Sequence, residues 1–319
     1  MTNDPAHGRR TVAGMARRWK DGWVDVDGVQ LHYVTQGSGP LMLMLHGFPD
    51  FWYSWRHQIP EFARDHSVVA VDMRGYNLSD KPPGRSAYSM RYLVADVGAL
   101  IERLGEGRAV LVGHDWGGLV AWASAYEHPE LLEALIILNT PHPALFMRGL
   151  LWPPQLLRSS YVFMFQLPWL PEWLLTGNDG AAMETILRGS AVDKTAFTDD
   201  DIAAYREAIQ QPGAATAALN YYRNWFQPRV LRTFDVLEVP TLMIWGDRDV
   251  ALGKELARGT ERYVRRLTLH HVPDSGHWVQ QEQPGLVNRY IRDFLAELPG
   301  GSSGQSGRRG SERRAGRSP

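Results

Sequence analysis

The stretch that decides the fold is VLVGHDWGGLVAW, residues 110–122. It begins with apolar residues typical of a buried strand, passes through a glycine-flanked turn and continues with residues that suit a helix. Hydrolytic enzymes with this layout usually present a nucleophilic serine at the turn, as Gly-x-Ser-x-Gly. Here residues 113–117 read GHDWG, so the central side chain is the carboxylate of Asp115. A carboxylate at this turn predicts a different chemistry from that of a serine.

Short apolar runs recur along the chain, at LMLML (41–45), VVAV (68–71), AVLV (109–112), ALIIL (134–138) and TLMIW (241–245). Continuous apolarity is typical of strands buried on both faces of a parallel sheet. Helix-like stretches such as RYLVADVGALIERLG lie between the runs, and this alternation predicts an α/β fold with a mostly parallel sheet. Near the start, two alternating runs flank Asp27-Gly28, which predicts a hairpin at an antiparallel edge.

The composition of the sequence changes between the fourth and fifth of these runs. Proline and aromatic residues are frequent there, and no buried-strand run occurs. We therefore predict a helical cap inserted into a single sheet domain, placed over the carboxyl ends of the strands where ligands bind in such sheets. The predicted segments are a flexible N-terminal arm (1–21), a first core segment (22–140), the cap (141–235), a second core segment (236–298) and a disordered basic tail (299–319).

Composition limits the classes of partner. The formal net charge of the 319-residue chain is −1, which implies neither a nucleic-acid nor an anionic-membrane partner. The absence of cysteine excludes disulfides and thiolate chemistry. The most apolar stretch, YVFMFQLPWLPEWLL (161–175), is interrupted by two prolines and is shorter than the roughly 20 residues of a membrane span. We expect a cytoplasmic protein with no membrane span, no cofactor and no metal.

Four motifs follow apolar strands: LHGFP (45–49), GHDWGG (113–118), WGDRD (245–249) and DSGHW (274–278). They supply a nucleophile, an acid and a base in the chain order Asp115, Asp249, His277. An ionised carboxylate can attack an sp³ carbon without a base, and it forms an alkyl ester. Water must then hydrolyse that ester, which requires a general base. We predict that His277 is this base and that Asp249 orients its ring.

The remaining candidates are backbone donors and a second acid. The N–H groups of Phe48 and Trp116 are predicted to form the oxyanion hole for the tetrahedral intermediate. Asp247 lies two residues before Asp249 and is the alternative acid, although it suits a turn better. The loop after LIIL carries the acid in some proteins with this arrangement, but here it holds Asn139.

With these motifs in view, the chain resembles the epoxide hydrolases of the α/β-hydrolase fold, and it is most similar to the animal epoxide hydrolase 3 and 4 type. The resemblance spans residues 22–298 and includes HGFPDFWYSWRHQIP, VVAVDMRGYNLSD, SSYVFMFQ, LNYYRNWF and GHWVQQEQP. It implies that two cap tyrosines, Tyr161 and Tyr222, hydrogen-bond the epoxide oxygen as the ring opens. It also implies that the substrates are an apolar epoxide and water and that the product is a vicinal diol.

Two other functions remain open. A haloalkane or haloacid dehalogenase would use the same triad, and Trp116 fits its halide-binding indole, but Phe48 stands where haloalkane dehalogenases often have Asn. A haloacid enzyme would want an Arg beside the nucleophile, where this chain has Trp116. A non-catalytic ligand binder with this fold would need no His277 base. Paired cap tyrosines favour epoxides over halides.

Overall fold

The computed structural model describes residues 19–224 and 234–298, and in those two ranges it contains one eight-stranded sheet. The strands are β1 (Lys20–Val26), β2 (Val29–Gln36), β3 (Leu41–Leu45), β4 (Ser67–Val71), β5 (Ala109–His114), β6 (Leu132–Leu138), β7 (Thr241–Gly246) and β8 (Leu267–Val272). Their order across the sheet is β1-β2-β4-β3-β5-β6-β7-β8. Strand β2 pairs antiparallel with β1 and β4, and the other pairs are parallel.

The central strands are buried along their whole length, as their unbroken apolar sequences predict. All residues of β3, β5 and β7 are buried. A parallel strand covered by helices on both faces has no solvent-facing side, so every position is apolar or hydrogen-bonded. The five apolar runs lie within β3 to β7, which confirms the predicted mostly parallel α/β sheet.

The predicted hairpin is also confirmed, and it forms one edge of the sheet. Strands β1 and β2 are joined by Asp27 and Gly28, whose φ angles are 51° and 81°. Positive φ at both central residues is the geometry of the tight turn that suits the twist of a hairpin, and Asp-Gly tolerates it well. Strand β1 begins at Lys20, inside the range predicted as the arm, because Lys20 pairs with Thr35 and extends the hairpin.

Helices flank the sheet and fill the insertion between β6 and β7. They are α1 (Ile59–Phe62), α2 (Met90–Leu104), α3 (Trp116–Glu127), α4 (Pro143–Gly149), α5 (Pro153–Arg158), α6 (Tyr161–Met164), α7 (Leu170–Gly180), α8 (Ala182–Ser190), α9 (Asp199–Ile209), α10 (Ala214–Asn224), α11 (Val279–Glu282) and α12 (Pro284–Ala296). Short 3₁₀ helices occur at Trp52–Trp55, Arg85–Tyr88, Pro129–Leu131, Lys194–Ala196, Lys254–Ala257 and Thr260–Arg262. Helices α4 to α10 form the insertion, here called the helical insertion.

Several sequence predictions fall on residues that the structure does not describe. Nearly all of the N-terminal arm, the whole basic tail and residues 225–233 of the predicted cap lie outside the described residues. Among the helices in the described ranges, none has both the length and the apolarity needed to cross a lipid bilayer.

Candidate active site

Asp115 occupies a strained turn between β5 and α3. Its φ and ψ are 50° and −120°, a region that side-chain-bearing residues rarely adopt. The turn is tight because the helix that follows approaches β3 closely: a Cβ atom on Gly117 would lie 2.2 Å from the carbonyl oxygen of Leu45. Only glycine fits there. The surrounding packing fixes this strained backbone conformation. The turn thereby holds the Asp115 carboxylate above the edge of the sheet.

The Asp115 carboxylate has a different partner on each oxygen. Its Oδ1 accepts a hydrogen bond from the backbone N–H of Phe48 at 2.8 Å. Its Oδ2 lies 3.7 Å from Nε2 of His277. Trp116 directly follows Asp115 and is the first residue of α3, so its N–H lies at the helix N-terminus. The two predicted oxyanion-hole residues therefore flank the carboxylate.

Asp249 and His277 form a buried pair. Nδ1 of His277 lies 2.7 Å from Oδ2 of Asp249. The other oxygen of Asp249, Oδ1, accepts hydrogen bonds from the backbone N–H groups of Ala251 at 2.8 Å and Leu252 at 2.9 Å. Burial by itself raises the pKa of Asp249, but His277 and the hydrogen bonds outweigh it, so the pKa lies below its ordinary value. The carboxylate is therefore ionised at neutral pH.

Asn139 supports this pair, a role that its sequence position alone did not predict. Its Nδ2 donates a hydrogen bond to Oδ2 of Asp249 at 2.8 Å, and its Oδ1 accepts one from the N–H of Gly246, also at 2.8 Å. The only signal in the sequence was its position directly after the apolar run of β6. The alternative acid Asp247 faces elsewhere, with Oδ1 at 2.5 Å from Nδ1 of His271.

The proton affinity of His277 depends on three carboxylates. Burial by itself lowers the pKa of the imidazole. The carboxylate of Asp249 raises it, with further contributions from Asp115 and Asp50, and the result is a pKa of about 9. At neutral pH the ring is an imidazolium between two carboxylates. Neutralising Asp115 would remove one source of the increase, so the pKa would fall.

Behind His277 lies a buried polar layer that the motifs did not reveal. Nε2 of His114 donates a hydrogen bond to the backbone oxygen of His277 at 2.9 Å, which places a proton on that nitrogen. Nδ1 of His114 is 3.4 Å from Oδ2 of Asp50. The other oxygen of Asp50 accepts a hydrogen bond from the hydroxyl of Tyr205 at 2.7 Å. The layer connects His277 to α9 of the helical insertion.

Tyr161 and Tyr222, carried by α6 and α10, meet opposite Asp115. Their rings lie edge to face, with centroids 6.0 Å apart. The ring of Trp116 lies edge-on to the ring of Tyr222, with centroids 5.0 Å apart. Burial raises the pKa of both phenols, and the negative charge of Asp115 adds to the increase. Both hydroxyls are therefore protonated and able to donate.

One cavity joins these groups. It encloses about 700 Å³ including its open mouth, and Asp115, Tyr161 and Tyr222 all line it. The rest of the wall is mainly apolar, and it comprises Trp116, Leu119, Thr140, Pro141, Phe146, Leu150, Leu156, Ser159, Val162, Phe163 and Leu252. Across residues 19–224 and 234–298, His, Asp and Glu side chains form no group of three that could hold a metal ion.

Comparison with known proteins gives consistent matches. A family model for the alpha/beta hydrolase fold matches residues 40–284. The chain is 41% identical over 280 residues to epoxide hydrolase 4 of Homo sapiens, covering 85% of this chain and 76% of that protein. It is 42% identical over 278 residues to epoxide hydrolase 3 of Xenopus tropicalis, with the same two coverages of 85% and 76%. The solved structure of a Bacillus megaterium epoxide hydrolase with an inhibitor has a TM-score of 0.79 and 37% identity, covering 86% of this chain and 100% of that one.

Proposed function

Because this chain belongs to the epoxide hydrolases of the α/β-hydrolase fold, we propose that it converts apolar epoxides to vicinal diols through an alkyl ester on Asp115. One observation carries the mechanism: Asp115 shares its cavity with two protonated tyrosine hydroxyls. A nucleophile on one side of a bound epoxide and proton donors on the other are the groups that ring opening requires.

In the first step, Oδ2 of Asp115 attacks a ring carbon of the epoxide. The carbon–oxygen bond of the ring breaks, and its electron pair passes to the ring oxygen. That oxygen takes a proton from the pair formed by Tyr161 and Tyr222, which leaves one phenolate. The indole of Trp116 lies against Tyr222 and lowers the pKa of its phenol, so it stabilises negative charge there. Meanwhile the N–H of Phe48 holds Oδ1, which leaves Oδ2 as the attacking oxygen.

In the second step, water hydrolyses the ester with His277 as the general base. Ester formation removes the negative charge of Asp115, which lowers the pKa of His277 and releases its proton to the phenolate through solvent. The neutral ring then takes a proton from water as the water oxygen attacks the carboxyl carbon. The N–H groups of Phe48 and Trp116 stabilise the resulting oxyanion. Collapse of the tetrahedral intermediate passes the remaining carboxyl proton to the departing diol, and Asp115 returns as a carboxylate beside an imidazolium.

The alternative functions have weaker support. A dehalogenase would need the Trp116 indole for the departing halide, but this ring packs edge-on against the phenol of Tyr222. A ligand binder without catalysis would gain nothing from a buried imidazolium at 2.7 Å from Asp249. The mainly apolar wall of the cavity supports an apolar substrate, and detoxification of apolar epoxides would suit it.

Oxygen labelling in a single turnover tests this proposal. Protein in excess over styrene oxide is mixed in water enriched in ¹⁸O, and the masses of the diol and of the peptide containing Asp115 are measured by mass spectrometry. The ester route leaves the first diol unlabelled and adds about 2 Da to that peptide, since the diol oxygen comes from the carboxylate. Asp115→Asn should give no diol, whereas Asp274→Asn, which alters an exposed aspartate, should behave as wild type. Label in the first diol would contradict the ester route.

A further inference from the structure

An exposed apolar surface lies on the helical insertion, between residues 151 and 174, and it is called here the 151–174 patch. Nine of the fourteen large hydrophobic side chains exposed in the described residues come from this stretch. Leu151 is 85% exposed, Trp169 72% and Trp173 64%. Exposed apolar side chains that occur singly need no explanation, but a concentration of this kind marks an interaction surface.

The patch is continuous with the mouth of the substrate cavity. Leu156 and Phe163 line that cavity, and each is also exposed, at 43% and 56%. They lie on α5 and α6, which are separated by only two residues, Ser159 and Ser160. An apolar molecule leaving the cavity would therefore contact the patch before it reached water.

Two arginines lie in or beside the patch. Residues 148–174 contain three charged side chains, those of Arg148, Arg158 and Glu172. Glu172 is paired with Arg223, with its Oε1 at 2.7 Å from Nη1. Arg148 and Arg158 are exposed, and no ion pair is found for either within the described residues. Within this stretch positive charge is therefore in excess, although the net charge of the chain gives no indication of it.

We propose that the 151–174 patch docks this protein on the surface of an anionic lipid bilayer and that apolar epoxides enter the cavity from the bilayer. Tryptophan favours the interface between lipid and water, and apolar side chains with flanking arginines are typical of surfaces that lie on anionic lipid. A second copy of the chain fits less well, because a two-fold contact would bring the same arginine-flanked patch against itself. The docking does not depend on the proposed function; only the delivery of an epoxide substrate rests on the proposed function.

Vesicle co-sedimentation of the full chain tests the docking. The vesicles contain either equimolar phosphatidylcholine and phosphatidylglycerol or phosphatidylcholine alone. The double variant Trp169→Asn with Trp173→Gln keeps residues that suit the backbone at each position, and we expect it to bind the mixed vesicles about tenfold more weakly. Trp23→Ser is the matched control, since Trp23 is 52% exposed on β1, outside the patch, and it should bind as wild type does. All variants keep the basic tail, so its contribution cancels.

Charge and substrate delivery give separate readouts. Replacing Arg148 and Arg158 with Ser should weaken binding to the mixed vesicles about tenfold and leave binding to phosphatidylcholine unchanged. Diol formation from styrene oxide dissolved in water should be unchanged in the tryptophan double variant, because neither tryptophan lines the cavity. Its turnover of a long-chain epoxide dissolved in vesicles should fall with its binding.

Three results would overturn the docking proposal. One is wild-type protein that does not bind mixed vesicles, and another is equal binding by wild type and the double variant. The third is a wild-type dimer in sedimentation velocity that the double variant abolishes, which would assign the patch to a second copy. If instead the wild type binds vesicles but forms no diol from any epoxide, the proposed function fails while the docking stands.

Discussion

The imidazolium of His277 should make the stability of the fold depend on pH in a way that a glutamine at this position removes. The ring lies 2.7 Å from Asp249 and 3.7 Å from Asp115, and its pKa is about 9 instead of the ordinary 6.5. Because this pKa is higher in the folded chain, the folded state binds the proton more tightly than the unfolded state does. The stabilisation is therefore complete below pH 6.5 and is lost as the pH rises through about 9.

The magnitude follows from the two pKa values of His277. Raising the pKa of a group from 6.5 to about 9 corresponds to about 3 kcal/mol of unfolding free energy. Urea denaturation of wild type and His277→Gln, followed by circular dichroism from about pH 6.5 to about pH 10, measures this quantity. We expect the difference in unfolding free energy between the two proteins to shrink by about 3 kcal/mol over that range.

A second variant makes this experiment sharper. Asp115→Asn removes one of the carboxylates that raise the pKa of His277, so the loss of stability should occur at lower pH in this variant than in wild type. The proteins compared share the same Lys and Tyr residues, so the titration of those side chains cancels. A difference between wild type and His277→Gln that stays constant across the whole range would refute the assignment of an imidazolium.

Other variants test single contacts. Asn139→Ala removes a hydrogen bond to the carboxylate of Asp249, so ester hydrolysis should slow about tenfold and the pH profile of kcat should shift. The rate of ester formation, measured by stopped flow, should change little. Tyr222→Phe should slow ring opening about 100-fold, because a proton donor is lost, whereas Tyr221→Phe should not, since the Tyr221 hydroxyl donates to a backbone oxygen away from the cavity. Gly117→Ala should lower the unfolding free energy by about 3 kcal/mol in urea titration, because its Cβ would lie 2.2 Å from a carbonyl oxygen of β3.

Local patterns predicted the strands well, because burial on both faces leaves an unmistakable apolar run. LMLML coincides with β3, and the other four runs fall inside β4 to β7. The position of β4 between β2 and β3 could not be read in the same way. It depends on how the connecting segments cross the sheet, which no local pattern encodes. The start of β1 was also not predicted. The strand is extended by the pairing of Lys20 with Thr35, and no apolar run marks this extension.

In the candidate site, too, local motifs predicted some residues and could not predict those that depend on tertiary contacts. Motifs at the ends of strands indicated Asp115, Asp249 and His277, because the carboxyl ends of parallel strands meet at one edge of a sheet. The support from Asn139 was not predicted, since it joins residues 110 positions apart through a side chain that carries no motif. The tyrosines came only from the resemblance, because helices of the insertion have no fixed register with the sheet.

The ester on Asp115 is the central claim, and the mass of one variant tests it most directly. His277→Gln keeps the nucleophile and removes the base, so incubation with styrene oxide should give a stable adduct of one substrate molecule per chain, mapped to the peptide that contains Asp115. The double variant with Asp115→Asn should give no adduct. Fast multiple turnover by His277→Gln without any adduct would contradict the account.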